Sequence, residues 1–262
     1  FLPASQNLVR AGIYWQAEAF ALGFVHPKLM VAIEKLARWH LKRQIKDPEL
    51  REKLTPNYTI GCKRVLFSNN YYPALARDNV KVIAAGVKEV RANSVIDSNG
   101  QEHQVDAIIC GTGFDTKDPL GPLHLYGRDG IETRSKEGGL SAYLGTTLKD
   151  LPNLFMLLGP NTALGHNSII FMIEQQIRYA ISCLDEMDKR GAAEISVKPE
   201  VQDAYNERIQ AELQKMVWSE GGCKSWYIDE DGKNFTIWPG FTWKYWMRMR
   251  KPNFRHFQFK KA

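Results

Sequence analysis

The sequence has no stretch of about 18 consecutive apolar residues, so no membrane-spanning helix is expected. Its start, Phe1-Leu2-Pro3, carries no basic segment leading into an apolar one, and no secretory signal is readable. It also lacks an initiating methionine, and a piece of a longer polypeptide is the expectation. Cysteine is sparse: Cys62, Cys110, Cys183 and Cys223 are widely separated and form no C-x-x-C pair. Neither a metal site nor a disulfide framework is indicated, and a reducing cytoplasm is the expected location. There is no internal repeat and no low-complexity tract. Acidic residues are absent from Lys244 to Ala262, where basic and aromatic residues alternate. Such a tail could meet phosphates and stack on bases, or lie on a membrane surface; the reading preferred here is a segment that covers the core or is partly exposed, with nucleic acid an unlikely partner.

What is present is ordinary in bulk and informative in detail. Over 262 residues, 44% are hydrophobic and 24% charged, with a net charge of +6. That suffices for a sizeable core in one large domain or two small ones. The organising stretch is Val105-Asp106-Ala107-Ile108-Ile109-Cys110-Gly111-Thr112-Gly113-Phe114-Asp115. A near-continuous apolar run predicts a strand buried on both faces. The Gly-Thr-Gly turn after it lets backbone approach a ligand closely. A complete dinucleotide fingerprint would require a third glycine at position 116, which is Thr116.

Residues 9–54 are predicted to be helical, dense in apolar side chains from Ala11 to Phe24 and interleaved with charge from Leu29 onward. Ile60-Gly61-Cys62-Lys63-Arg64-Val65-Leu66-Phe67 places two adjacent cations between a glycine and an apolar run, an unusual site for solubility alone. Tyr71–Leu75 reads as a short helix or turn, and Asn79–Ile83 as a strand. Val87–Ile96 and Gln101–Cys110 read as strands around Ser98-Asn99-Gly100, a hairpin signal. Short strands are expected near Leu123–Tyr126 and Ala142–Leu144. A further apolar strand, Leu154–Leu158, leads into Gly159-Pro160-Asn161-Thr162-Ala163-Leu164-Gly165-His166-Asn167-Ser168. A helix over 168–190 follows, with Asn167 or Ser168 as N-cap and Gly191 as its stop. The start of that helix offers free N–H groups to an anion or an electron-rich carbonyl. Another helix is expected over 200–217.

As an ordered set these segments resemble the C-terminal half of class B flavoprotein monooxygenases, most closely the Baeyer–Villiger monooxygenases. The resemblance rests on Leu54–Arg64, Tyr71–Leu75 with Asn79-Val80, Gly111–Asp115, Leu158–Thr162 with Gly165–Ser168, Cys223-Lys224-Ser225-Trp226-Tyr227 and Trp238–Trp243. Members of that family are about twice as long and carry two Gly-x-Gly-x-x-Gly loops, one for FAD and one for NADPH; neither loop is present in these 262 residues.

The resemblance implies an α/β protein: a partial flavoprotein with two Rossmann-like dinucleotide-binding domains and a helical insert. Residues 1–54 would be the insert, 55–111 the closing part of the NADP domain and 112–262 the closing part of the FAD domain. It further implies a small hydrophobic carbonyl substrate and O₂. One oxygen atom would be inserted through a flavin peroxide to give an ester or lactone. Sulfur or nitrogen oxygenation, or a basic module binding membrane or nucleic acid, are the alternatives. Arg64 matches the family's active-site arginine, where a permanent guanidinium stabilises developing negative charge. Lys63 matches the lysine that selects NADPH. Trp226 matches a residue lining the NADP site. Gly111, Thr112 and Gly113 match the hinge between the nucleotide domains. Asn161, Thr162, Gly165, His166 and Asn167 match the loop whose helix faces the flavin. The missing N-terminal half, or another chain, would complete both cofactor sites.

Overall fold

The computed structural model describes residues 3–113, 123–128, 130, 132, 140–223, 225–229 and 231–261. Contacts group the chain into two units: Phe1–Ile33 with Tyr58–Val65 and Lys117–Ala262, and Glu34–Asn57 with Leu66–Thr116. The boundaries expected from sequence fall elsewhere, at 54/55 and 111/112. The first helix and the Tyr58–Val65 segment group with the C-terminal part of the chain.

The chain opens with α1 (Pro3–Val25), a 3₁₀ turn at Pro27–Leu29, α2 (Met30–Gln44) and α3 (Pro48–Leu54), as the apolar density of residues 9–54 predicted. Asp47 begins α3 by accepting the Glu49 N–H, with Pro48 supplying a pre-set φ at the first helical position. A short helix, α4, spans Tyr71–Leu75.

The second unit carries a three-stranded antiparallel sheet of β1 (Val87–Val90), β2 (Ser94–Asp97) and β3 (Glu102–Gln104). Its β2–β3 hairpin forms where Asn99-Gly100 announced one. Gly100 sits at φ 84°, and Asp97 Oδ1 accepts the N–H groups of Asn99 and Gln101. Asp97 Oδ2 lies 3.0 Å from His103 Nε2 across the same hairpin. That bond and the turn N–H groups hold the Asp97 carboxyl below its ordinary range.

Two predicted strands do not form. Val105–Cys110 lies beyond the end of β3 with no ladder, and Ile109 is 95% exposed rather than buried. Asn79–Ile83 is likewise unladdered. Apolar content favours a strand only where a neighbouring strand takes its N–H and C=O groups. Phe114, Asp115 and Thr116 lie outside the described residues.

In the first unit, β4 (Thr147–Leu148) pairs antiparallel with β5 (Leu151–Phe155), which starts and ends earlier than the predicted 154–158 strand. The expected strands near Tyr126 and Tyr143 are reduced to isolated bridges, Tyr126↔Glu132 and Tyr143↔Thr147. The central element is α5 (Ile169–Arg190). Ser168 caps it, and Gly191 closes it at φ 58°, where the Gly191 and Ala192 N–H groups reach the Asp188 and Met187 carbonyls. One face of α5, through Met172, Gln175, Gln176, Tyr179, Cys183 and Met187, is buried at helical spacing. Burial pushes the Cys183 thiol up to about 12.

After α5 come β6 (Glu194–Val197), α6 (Pro199–Leu213) and α7 (Val217–Glu220), so the helix predicted over 200–217 is broken in two. The C-terminal segment covers the core, as preferred above: α8 (Thr242–Met249) packs on α5, and β7 (Phe257–Lys260) pairs with β6. Asn153, at φ 61°, donates to the Ala193 carbonyl and accepts the Ile195 N–H, tying β5 to β6. Helices and strands are thus mixed, while every named ladder among the described residues is antiparallel. Among the described residues no helix is long and apolar enough to cross a membrane.

Ser168→Ala removes the α5 cap and is expected to lower the unfolding free energy by about 1 kcal/mol, read from the midpoint of urea denaturation.

Candidate functional site

The site grows from Gly61. Its φ of 92° suits glycine, and a Cβ there would fall 2.8 Å from Phe24 Cε1 and 2.7 Å from Met30 Cε. The chain therefore turns tightly over Phe24 and delivers Lys63 and Arg64 to the surface, both exposed. Lys63 Nζ stands 4.8 Å from the Tyr58 ring centroid.

Arg64 approaches the Tyr227 phenol. Burial pushes that hydroxyl above its ordinary value, and the guanidinium beside it pulls the other way. Trp226 stacks on Tyr227 with ring centroids 4.2 Å apart. Arg64 and Trp226, 162 positions apart (226 − 64), thus meet at Tyr227, while the neighbouring Lys63 stands over Tyr58.

A disulfide between Cys62 and Cys223 holds that convergence, with Cα atoms 6.2 Å apart across 161 positions. The expectation that no disulfide is present was wrong. Distance along the chain conceals a pair that the Gly61 turn brings together. A readable trace was there: both cysteines sit in the tripeptide Gly-Cys-Lys, at 61–63 and 222–224, although Lys224 itself lies outside the described residues. The Thr59 N–H donates to the Gly221 carbonyl and joins the two segments a second time.

The loop ending β5 reaches the same aromatic cluster. Phe24 lies 5.1 Å from Trp218 and 5.9 Å from His166, and Trp218 lies 6.3 Å from Tyr227. A Cβ on Gly165 would press on Trp218 Cζ2 at 3.0 Å.

Within this loop, Asn161 and Thr162 have internal duties. Asn161 Nδ2 donates to the Asn234 and Ile237 carbonyls, and Thr162 Oγ1 donates to the Gly159 carbonyl. Their side chains shape the loop, and the Asn161 N–H donates to the Phe235 carbonyl.

His166 differs. Its side chain is 2% exposed and neither ring nitrogen makes a hydrogen bond. Asn167 bridges outward: its Oδ1 accepts the Ser168 N–H and its Nδ2 donates to Glu18 Oε1 at 2.6 Å. Glu18, on α1, was not among the residues singled out from sequence. The signal was available, since it is the one charged side chain between Arg10 and Lys28.

Gly111, Thr112 and Gly113 belong to the second unit and are exposed; nothing lies within 4 Å of a Cβ built at either glycine. Among the described residues no group of three His, Cys, Asp or Glu side chains could hold a metal ion.

Comparison with known proteins is consistent with this arrangement. No family model matches the chain. It is 51% identical over 248 residues to a Baeyer–Villiger monooxygenase of Pseudomonas aeruginosa, covering 93% of this chain and 47% of that protein. It is 39% identical over 264 residues to a Baeyer–Villiger monooxygenase of Streptomyces coelicolor, covering 98% of this chain and 50% of that one. The chain is homologous to one half of a Baeyer–Villiger monooxygenase.

The fold agrees. An NADP-bound oxidised steroid monooxygenase superimposes with a TM-score of 0.80 at 23% identity, over 92% of this chain and 47% of that one. An NADP⁺-bound cyclohexanone monooxygenase from Rhodococcus sp. Phi1 gives 0.76 at 25% identity, over 87% and 44%. The chain spans about half the length of the Baeyer–Villiger monooxygenases it matches.

Cys62→Ser is expected to lower the unfolding free energy by roughly 2–5 kcal/mol. Dithiothreitol should produce the same loss in the wild type and none in the variant, measured by guanidinium denaturation with and without reductant.

Proposed function

We propose that this chain acts as the C-terminal half of an FAD- and NADPH-dependent Baeyer–Villiger monooxygenase, which inserts one atom of O₂ into a hydrophobic carbonyl compound to give an ester or lactone. The glycine-loop half would come from the same polypeptide or from a partner chain. The carrying observation is that the Lys63-Arg64 turn, the Trp226 loop and the loop before α5 meet around Phe24 and Trp218 in one unit.

The residues fit the cofactors they would serve. Two exposed cations beside a half-exposed indole suit a phosphorylated ligand with a flat ring. His166, buried at the start of α5 with Nδ1 lacking a hydrogen-bond partner, suits a polar ring placed against that helix end. When bound, FAD supplies the oxygen chemistry and NADPH the reducing equivalents.

This chain's own residues have separate tasks. Arg64 holds a fixed positive charge where negative charge develops on the carbonyl oxygen. Lys63 meets the phosphate that distinguishes NADPH from NADH. The Cys62–Cys223 link keeps both cations in register with Trp226. The Gly111-Thr112-Gly113 turn is proposed as the hinge, with residues 1–54, 55–111 and 112–262 as the functional divisions. Val105–Cys110 and Asn79–Ile83 are proposed to gain their ladders from strands of the glycine-loop half, completing the Rossmann sheets.

Use of the C-terminal tail as a nucleic-acid platform is disfavoured. Lys244 lies over Phe241 and Trp243, Arg248 over Trp238 and Arg250 over Trp246, so these cations are already engaged with their own rings.

The test is to combine the chain with the glycine-loop half and assay NADPH consumption against a ketone panel. Arg64→Ala is expected to retain bound flavin and to lose ester formation by 100-fold or more, in the range of a lost transition-state donor. Ester formation at the wild-type rate would refute the assignment. In the same assay Lys63→Ala should raise the KM for NADPH about tenfold while leaving the KM for NADH unchanged, a loss of about 1.4 kcal/mol.

A further inference from the structure

Glu18 is a buried carboxylate held by groups from two distant parts of the chain. It accepts from Asn167 Nδ2 at 2.6 Å, from the Thr242 N–H at 3.1 Å and from Thr242 Oγ1. His166 Nε2 lies 3.4 Å from its Oε1, and the Tyr14 hydroxyl sits 2.9 Å from Thr242 Oγ1. The side chain is 2% exposed.

Two helix starts flank it. Thr242 is the first residue of α8, whose N-cap, Phe241, offers no side-chain cap; Glu18 supplies the missing acceptor from 224 positions away. Asn167 precedes the Ser168 cap of α5. Helix N-termini carry partial positive charge, and the carboxylate lies beside both. Burial alone would raise the Glu18 carboxyl, yet the donors around it bring the net shift below the ordinary carboxylate value, so the group is ionised.

We propose that Glu18 is a positioning residue of the flavin site: it fixes the 166–168 loop at the start of α5 and, as a buried negative charge there, sets how readily the bound flavin is reduced. The proposal rests on reading that loop as flavin-facing. The positive end of α5 favours an anionic reduced ring, and a carboxylate behind the loop offsets part of that field. His166, buried with Nε2 3.4 Å from that carboxylate and Nδ1 without a hydrogen-bond partner, belongs to the same loop. A residue with only a packing role would change stability and leave the flavin equilibrium where it was.

The experiment uses the flavin-loaded protein, with this chain and the glycine-loop half together. The ratio of reduced to oxidised flavin is read spectroscopically against a reference dye at fixed pH. Glu18→Gln removes the charge and keeps the length; it is expected to raise that ratio about tenfold, ~30 mV for a two-electron couple. Glu18→Asp keeps the charge but withdraws it by one methylene, and is expected to give a smaller change in the same sense. An unchanged ratio, or a shift toward oxidised flavin, in whichever variant is folded and flavin-bound would overturn the role of Glu18 and leave the site reading intact. A wild-type assembly that binds no flavin would overturn both.

Discussion

Phe24 is where the separate pieces of the candidate site touch. Its ring contacts Trp218 and His166, and it fills the space that a side chain at Gly61 or Gly165 would need. Close packing of this kind is intolerant of volume change, because an interior at crystal-like density has no slack to absorb an added carbon. The position of Arg64 is therefore a consequence of what lies beneath it. The tight Gly61 turn seats on Phe24, Cys62 is buried and bonded to Cys223, and the cations are carried outward in the next two residues. Trp226 is placed by the far end of the same link. One aromatic ring on α1 thus governs the relation between a cation pair, an indole and a helix start, which are dispersed over more than 160 positions in sequence.

Local chemistry made much of this legible. The α5 boundaries follow from Ser168 and Gly191, whose preferences as cap and stop act through their own backbone and need no distant partner. Asn99-Gly100 marked its hairpin for the same reason. The Gly61-Cys62-Lys63-Arg64 and Trp226-Tyr227 segments were legible as motifs and proved to be neighbours. Features that depend on the rest of the fold were not legible. Val105–Cys110 has the composition of a buried strand, but composition cannot supply a ladder partner, and within this chain the segment is exposed. The disulfide and Glu18 were missed because their partners are 161 and 224 positions away. Asn161 was legible as a loop residue and illegible in its task, since only the structure shows its amide bound to the 234–237 backbone.

The exposed apolar residues bear on how the chain works. In the first unit Leu8, Ile13 and Trp15 on α1 are more than half exposed; in the second, Leu36, Trp39, Leu66, Phe67 and Ile109 are as well. Scattered exposed leucines need no explanation, but large aromatic and branched side chains clustered on two helices and beside two unladdered segments do. The chain spans about half of its relatives' length, and two predicted strands lack neighbours. Under the proposed function, strands and helices of a glycine-loop half would cover the apolar side chains and pair with the unladdered segments. This follows from the burden on an edge strand, which must be paired, covered or charged to avoid association.

The division of labour between halves also follows from the chemistry that remains here. The Gly-x-Gly-x-x-Gly loops, which hold dinucleotide pyrophosphates by backbone N–H groups, are not among these 262 residues. What these residues carry is a permanent cation, a lysine, an indole, and a helix start beside a buried carboxylate. Affinity would then lie mainly in one half, and tuning of charge at the reacting centre mainly in the other. Such tuning demands fixed geometry, because an electrostatic contribution in a site sheltered from water changes steeply with distance and with the freedom of the charged group. Fixed geometry of that kind is what the disulfide gives Lys63 and Arg64, and what the carboxylate bound by three donors gives the 166–168 loop.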